Sequence, residues 1–266
     1  MTDPGPVAAI GPLLDDPAGA AVLSDLDGTL APIVARPEQA RVPDQTRVAL
    51  ARIADRFAVA AVVSGRRATL AREIVGLEKL TYIGNHGFEL LAPNAPEPRA
   101  APELGPHGRD AARFAAGFDA AELDAAGLRV EDKGPIVALH WRGAADESGA
   151  EAHAERIAAE AEGAGLVIHR GRKVLELRPG GEVDKGTAIE SLLLGSVATA
   201  ALYAGDDRTD LDGFSALDRL AASGRLRTAV RIGVASAEGP AEITARADLT
   251  VDGPAGLVPV LAALAS

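Results

Sequence analysis

Four short segments carry polar residues where an apolar run gives way to a turn or a helix. The first contains Asp25 and Asp27, two carboxylates two positions apart at the end of the apolar run 21–26. Neighbouring carboxylates repel unless a cation lies between them or one is protonated, and a hard divalent cation such as magnesium satisfies both. With that cation present, Asp25 can stay ionised and attack phosphorus. An isolated Asp-X-Asp-Gly segment is more often a turn with solvated acids, so the other segments decide its interpretation.

The remaining three segments supply a hydroxyl, an ammonium and further carboxylates. Ser64 and Gly65 end a second apolar run and form a compact donor pair for a phosphate oxygen. Lys185 stands at a predicted helix start, where a cation opposes the helix dipole. A second acidic strand end carries Asp206, Asp207 and Asp210. Taken singly, Ser64 is more often a capping residue, Lys185 a surface lysine and the acidic cluster a helix cap. Together with Asp25 and Asp27, these segments predict a metal and phosphate site.

A β-α-β pattern predicts the elements that position these groups. The apolar runs 21–26, 57–63, 80–83, 199–204 and 227–234 are typical of buried strands, and helical spacing covers 44–56, 68–75 and 185–195. We therefore predict a doubly wound, Rossmann-like α/β core with a parallel sheet. Such sheets bind ligands at the carboxyl ends of their strands, where the four segments fall.

The residue composition and pattern of the chain change between about residues 92 and 180. Five prolines between 93 and 106 indicate a linker into an inserted unit. Within it we predict helices over 109–126 and 146–163 and strands over 128–131, 136–141, 166–169 and 173–177. This order suits a small α+β unit with a mainly antiparallel sheet. The predicted domains are 1–103 and 181–266 for the core and 104–180 for the insert.

Composition excludes several classes of function. The absence of cysteine removes thiolate chemistry and leaves cytoplasm as the expected location. A formal charge of -11 and 3% aromatic residues disfavour a nucleic-acid partner. No long apolar stretch predicts a membrane span, and the acidic, proline-containing start does not resemble a signal peptide. We expect a monomer with a small-molecule partner.

The four segments in order, D-L-D-G-T (25–29), S-G-R (64–66), K-G (185–186) and G-D-D-R-T-D (205–210), resemble the haloacid dehalogenase superfamily. Within it, the segments G-N-H-G (84–87), E-D-K (131–133) and R-K-V-L-E-L-R-P (172–179) are similar to the trehalose-6-phosphate phosphatase family. The resemblance extends from about residue 20 to the end of the chain. One departure is Leu211, where many relatives carry a glutamate between two aspartates.

The resemblance implies a role for each residue of the core motifs. Asp25 forms an aspartyl-phosphate, while Asp27 acts as general acid and then as general base. The implied cofactor is Mg²⁺, held by the Asp25 carboxylate, the Asp27 backbone carbonyl and Asp206, with Asp207 and Asp210 in supporting positions. The groups implied to bind the phosphoryl oxygens are Ser64, Gly65 and Lys185.

The insert is implied to be a cap that contacts the sugar. Glu131, Lys133 and Glu176 match the family's cap pattern, because a disaccharide rich in hydroxyls requires charged or amide partners. Arg172 and Lys173 are weaker candidates. His140 and Trp141 are alternatives that sit more often in a core or on a sheet surface. The core adds two further substrate-binding candidates, Arg66 and His86.

The leading hypothesis is magnesium-dependent hydrolysis of trehalose 6-phosphate to trehalose and phosphate. The alternative is a phosphatase for another sugar phosphate, such as glucosyl- or mannosyl-glycerate phosphate, sucrose phosphate or a trehalose-like pseudosugar phosphate. A non-catalytic sugar-phosphate binding module is disfavoured because Asp25 and Asp27 are both present. Nothing in the sequence favours a phosphomutase.

Overall fold

The computed structural model describes residues 5–34, 39–171, 173–181, 183–236 and 239–266. The chain divides into two units, Met1–Arg99 with Val183–Ser266, and Ala100–Glu182. The second unit is therefore inserted into the sequence of the first.

The strands of both units are numbered in chain order. They are β1 (Ala20–Asp25), β2 (Val59–Val63), β3 (Thr81–Gly84), β4 (Glu89–Leu91), β5 (Arg99–Ala100), β6 (Arg129–Asp132), β7 (Val137–His140), β8 (Val167–Gly171), β9 (Val174–Arg178), β10 (Ala200–Gly205), β11 (Thr228–Ala235) and β12 (Leu249–Asp252).

The α-helices are numbered in the same way. They are α1 (Gly5–Asp15), α2 (Asp44–Arg56), α3 (Ala68–Val75), α4 (Asp110–Ala115), α5 (Ala120–Ala125), α6 (Glu147–Gly163), α7 (Lys185–Leu194), α8 (Asp210–Ala222), α9 (Ala241–Arg246) and α10 (Gly253–Leu264). Short 3-10 turns occur at Pro17–Gly19, Asn85–Gly87 and Pro102–Arg109.

The large sheet has the order β12-β11-β10-β1-β2-β3-β4-β5. Strands β12 to β3 pair in parallel, and β4 runs antiparallel to β3. All six residues of β1 are buried, as its almost unbroken apolar sequence requires in a sheet covered on both faces. The chain proceeds from β1 to β2 on one side and later returns to β10 on the other. This reversal of strand order creates a crevice at the carboxyl end of β1.

Two apolar layers cover this sheet, one on each face. Successive residues of β1 point to opposite faces, so Val22 joins one layer and Leu23 the other. The layer that contains Val22 includes buried side chains of α1, α2, α3 and α10. The layer that contains Leu23 includes those of α7, α8 and α9. The doubly wound α/β core predicted from the sequence is confirmed.

The second unit is built on an antiparallel sheet of order β6-β7-β9-β8. Alternate residues of β7 and β9, such as Leu139 and Leu175, pack with buried side chains of α6, including Ile157, and with Trp141. This period of two gives the sheet one apolar face against helices and one polar face.

Most element predictions agree with the structure within a few residues, and one is wrong. The single helix predicted over 109–126 is two short helices, α4 and α5. The chain turns at Gly117 and restarts at Asp119, whose carboxylate accepts the N–H of Ala121 and caps α5. The sequence does not predict helices α1, α9 and α10 or strands β4, β5 and β12. Among the described residues, no helix is long and apolar enough to cross a membrane.

Candidate active site

Asp25 lies at the carboxyl end of β1 and is the centre of a buried charged network. Its Oδ1 accepts a 2.7 Å hydrogen bond from Lys185 Nζ. Its Oδ2 is buried and has no hydrogen-bond partner among the described residues. Because a buried carboxylate oxygen without a partner is costly, Oδ2 is suited to a cation or to a reacting atom.

Lys185 is the first residue of α7, a position that disfavours a cation unless an anion is close. Asp184 caps this helix through a capping box, in which its carboxylate accepts the N–H of Thr187 and its own N–H donates to the Thr187 hydroxyl. The ammonium group is 3% exposed and also donates to Asp210 Oδ1 at 2.8 Å. Lys185 therefore joins the ends of β1 and α8 through two carboxylates.

Asp210 is fully buried, and both of its oxygens accept hydrogen bonds. Tyr203 donates its hydroxyl to Oδ1 at 2.6 Å, beside the bond from Lys185. The backbone N–H groups of Asp206 and Asp207 donate to Oδ2 at 2.9 and 3.0 Å. Asp210 therefore organises the loop after β10 and orients Lys185.

Asp206 follows β10 and faces the turn after β1. Its Oδ1 accepts a 2.8 Å bond from the hydroxyl of Thr29. Gly28 has a φ of +94°, and a Cβ atom at that position would lie 2.1 Å from Asp206 Oδ2. Glycine is required there both for the backbone conformation and for the close approach of this carboxylate.

Asp25, Asp206 and Lys185 have shifted pKa values. Burial raises the pKa of Asp25 well above its usual range, and Asp210 and Asp206 add to this effect while Lys185 opposes it. Burial also raises the pKa of Asp206 to about 6, against the bond from Thr29. Burial alone lowers the pKa of Lys185, but Asp25 and Asp210 more than reverse this shift. Lys185 therefore stays charged. Its single positive charge does not neutralise the negative charges of the surrounding carboxylates.

The donor set fits a divalent cation. Ligand atoms of Asp25, Asp206 and Asp210 lie within 4.8 Å of one another. Asp25 Oδ2 lacks a hydrogen-bond partner among the described residues. Burial raises the pKa values of Asp25 and Asp206, so a bound cation would stabilise the ionised form of both carboxylates. Carboxylate oxygens are the ligands preferred by Mg²⁺. Since both oxygens of Asp210 are already engaged, Asp25 and Asp206 are the better placed ligands.

Asp27 points to a different partner. Arg66 binds it through two 2.7 Å bonds, from Nε to Oδ2 and from Nη2 to Oδ1. This paired geometry fixes the orientation of the carboxylate as a single bond does not. Arg66 was predicted to contact substrate, and in this structure its guanidinium holds Asp27.

The end of β2 brings Ser64, Gly65 and His86 together. Ser64 is buried, and its Oγ accepts the N–H of Arg66 at 3.1 Å. The His86 ring lies so close to Gly65 that a Cβ atom there would be 2.5 Å from the ring. Asn85 and His86 both have positive φ values, which non-glycine residues rarely adopt. Such strain is concentrated at functional sites.

Asp207 binds the turn that leads into α8. Its Oδ1 accepts both the N–H and the hydroxyl of Thr209, at 2.8 and 2.7 Å. Burial alone raises the pKa of this group, but Lys185 and the bonds from Thr209 outweigh it, so the pKa is lowered. Asp207 thus stabilises the loop that carries Asp206.

The predicted sugar-binding residues of the second unit form a separate cluster. Glu131, Ala138 and Glu176 are aligned across neighbouring strands and share one face of the sheet. Lys133 donates to Glu176 Oε1 at 2.9 Å, and Arg178 binds Oε2 through two nitrogens. Burial alone raises the pKa of Glu176, but these two cations outweigh it and lower the pKa to about 2.

The remaining predicted residues of this unit have different surroundings. Glu131 Oε2 lies 2.8 Å from His140 Nε2, which places His140 beside the predicted sugar site. Trp141 is buried among the apolar side chains and belongs to the core of the unit. Lys173 pairs with Glu147 at 2.5 Å. Arg172 lies outside the described residues.

Two residues of these networks were not predicted from the sequence. Tyr203 lies in a strand with no polar neighbours, so its contact with Asp210 has no local signal. Arg178 belongs to the R-K-V-L-E-L-R-P segment, from which no separate role is predicted for it. Its position two residues after Glu176, on the same face of β9, is the signal that predicts their contact.

The parallel sheet, the acidic strand ends and the inserted unit define a protein of the haloacid dehalogenase class. A profile of the Trehalose-phosphatase family matches residues 23–253. The chain belongs to the trehalose-phosphatase family.

The chain is also similar to individual curated proteins. The chain is 34% identical over 232 residues to the trehalose 6-phosphate phosphatase RA3 of Zea mays, covering 80% of this chain and 64% of that protein. It is 38% identical over 213 residues to an uncharacterised glycosyl hydrolase of Mycobacterium tuberculosis, covering 74% of this chain and 15% of that protein. The chain thus spans less than two thirds of the length of these curated relatives.

The fold is also shared with a solved structure. The trehalose-6-phosphate phosphatase of Aspergillus fumigatus superposes with a TM-score of 0.61 at 24% identity, with 96% of each chain covered. At this level of identity the likeness concerns the fold.

Proposed function

We propose that the chain hydrolyses trehalose 6-phosphate to trehalose and inorganic phosphate, with Mg²⁺ as cofactor. The observation that carries the proposal is the Asp25 carboxylate, which is buried with one oxygen bound by Lys185 and the other without a hydrogen-bond partner among the described residues. Membership of the trehalose-phosphatase family and the named relative from Zea mays support the substrate.

The first step transfers the phosphoryl group to Asp25. A carboxylate oxygen of Asp25 attacks phosphorus and the bond from phosphorus to the sugar oxygen breaks, while Asp27, protonated at the start of this step, donates its proton to the leaving oxygen. Arg66 binds the resulting Asp27 carboxylate through two bonds and orients it for the second step. The products of this step are trehalose and an aspartyl-phosphate.

The second step regenerates the carboxylate. Asp27 takes a proton from a water molecule, which attacks phosphorus and breaks the bond to Asp25. Ser64 and Lys185 are the proposed donors to the phosphoryl oxygens, where negative charge develops in both transition states. When bound, Mg²⁺ supplies positive charge that keeps Asp25 ionised and offsets the charge of the phosphoryl group. Asp25 and Asp206 would hold it.

The inserted unit is proposed to act as a cap, with residues 104–180 supplying the sugar contacts. The polar face that carries Glu131 and Glu176 has both acceptors and donors for the hydroxyls of a disaccharide. Arg178 and Lys133 hold Glu176 in one orientation, which favours selection between sugars of different shape.

Phosphate release from purified protein tests this function. Trehalose 6-phosphate, sucrose 6-phosphate, glucosylglycerate phosphate and glucose 6-phosphate are compared with Mg²⁺ and after chelation with EDTA, with Asp25→Asn as the inactive control. We expect release from trehalose 6-phosphate to exceed the others and to require Mg²⁺. Preference for another sugar phosphate would contradict trehalose 6-phosphate as the substrate but leave the proposed phosphatase reaction standing. Phosphate release by Asp25→Asn would contradict the role of Asp25 as the nucleophile.

A further inference from the structure

The two tyrosines of the chain lie on opposite faces of the large sheet and have different hydrogen-bond partners. Tyr82 and Tyr203 are both fully buried in the large sheet of the first unit. Tyr82 donates its hydroxyl to the backbone carbonyl of Leu77 at 2.5 Å. Tyr203 donates its hydroxyl at 2.6 Å to Oδ1 of Asp210, the oxygen that also accepts Lys185 Nζ.

We propose that Tyr203 is a positioning residue, which acts through Asp210 to aim the Lys185 ammonium at Asp25 and the phosphoryl group. The inference rests on the proposed phosphatase function and adds a residue to its machinery. Among the described residues the Tyr203 hydroxyl is hydrogen-bonded to Asp210 and not to Asp25, and by this proposal it does not touch the substrate.

The hydrogen bonds of Asp210 explain why one hydroxyl has this influence. The N–H groups of Asp206 and Asp207 hold Oδ2 in place. The Asp210 carboxylate can therefore rotate about Oδ2 only when Oδ1 loses one of its donors. Removal of the Tyr203 hydroxyl leaves Lys185 as the one donor to Oδ1 among the described residues. The ammonium is then drawn toward Asp210, and its bond to Asp25 lengthens.

The packing around Tyr203 is built to hold the ring at this place. Gly213 lies inside helix α8, where glycine costs about 1 kcal/mol relative to alanine. A Cβ atom at Gly213 would lie 2.4 Å from Cε1 of Tyr203. Phe214 contacts the same ring edge to face, with centroids 6.1 Å apart. The helix therefore accepts an unfavourable residue at the point where the tyrosine ring requires space.

Lys185 acts on charge that develops during the reaction, so its misplacement affects the transition state more than substrate binding. Small displacements of a catalytic group reduce rates by factors of about ten to a hundred. We therefore expect Tyr203→Phe to lower kcat about tenfold and to leave KM for trehalose 6-phosphate within about twofold.

The test compares Tyr203→Phe with Tyr82→Phe as the matched control. Each variant removes one buried hydroxyl from the same sheet, so each is expected to lower Tm by about 2 to 4 °C. Steady-state phosphate release gives kcat and KM for both. A loss of kcat in Tyr203→Phe with unchanged kcat in Tyr82→Phe supports the proposal, because a purely structural role lowers Tm in both without this difference.

Two results would overturn it: wild-type kcat in a folded Tyr203→Phe protein, or an equal loss of kcat in both variants. Should Tyr203→Phe fail to fold, Gly213→Ala displaces the ring while retaining the hydroxyl, and wild-type kcat in that folded variant would also reject the role. Absence of phosphate release by the unsubstituted protein would reject the proposed function itself, and with it this inference.

Discussion

The charged clusters of the two units differ in how far they are withdrawn from water. In the first unit, Asp25, Lys185 and Asp210 are at most 5% exposed. In the second unit the Lys133 and Glu131 side chains are 20% and 38% exposed. Removing one partner of a buried ion pair leaves the other charge buried without compensation, which costs several kcal/mol of stability. Removing one partner of a partly exposed pair costs little, because water solvates the remaining charge. The proposed chemistry thus depends on groups that tolerate little change, and the proposed sugar recognition on groups that tolerate more.

The largest expected effect is that of Asp25→Asn. The amide has nearly the same shape but neither attacks phosphorus nor holds a cation as a carboxylate does, so we expect turnover to fall by at least about 10³-fold. The fold is expected to persist, because burial already disfavours the charged form of Asp25. Phosphate release and circular dichroism measure the two properties. A variant that retained a tenth of the wild-type rate would exclude Asp25 as the nucleophile.

Two lysine variants compare the stability contribution of the buried charged cluster in the first unit with that of the partly exposed cluster in the second. Lys185→Ala leaves Asp25 and Asp210 buried without their cation and is expected to cost about 3 kcal/mol of stability. Lys133→Ala leaves Glu176 with Arg178 and is expected to cost about 1 kcal/mol or less.

Urea unfolding separates these two effects by unit. Trp141 is the single tryptophan of the chain and lies in the core of the second unit, so its fluorescence reports on that unit, while far-ultraviolet circular dichroism reports on both. Equal loss of unfolding free energy in Lys185→Ala and Lys133→Ala would contradict the view that burial makes the first cluster less tolerant of substitution.

The sequence predicts the core site better than the contacts within it. Asp25, Asp27 and Asp206 stand where apolar runs end, and parallel strands necessarily bring those ends together. The same patterns do not show that Arg66 holds Asp27, because this contact depends on the path of the turn after β2. The contact of Tyr203 with Asp210 likewise depends on the packing of α8.

Errors in the predicted elements have comparable causes. The alanine-rich stretch 109–126 has helical composition throughout, and its break depends on the cap that Asp119 provides. Strand β4 has three residues and exists because it pairs with β3. Short elements of this kind are set by tertiary contacts more than by local propensity.

The smallest expected effect concerns acid stability of the second unit. Because the folded-state pKa of Glu176 is lowered to about 2 from 4.5, its ionised form stabilises the fold. That contribution is complete above pH 4.5 and disappears as the pH falls toward 2. Glu176→Gln should therefore lower the urea midpoint of Trp141 fluorescence near pH 6 and approach the wild-type midpoint near pH 2. A pH-independent difference would contradict the role of the two cations.

The central claim is that the first unit carries the chemistry and the second selects the sugar. Glu131→Ala tests it through kcat/KM for trehalose 6-phosphate and for p-nitrophenyl phosphate. The control is Glu155→Ala, which removes a paired glutamate from the surface of the same unit. We predict a loss of about tenfold or more on the sugar phosphate, less than twofold on the aryl phosphate, and neither loss in the control. Equal losses on both substrates in Glu131→Ala would contradict the division between the two units.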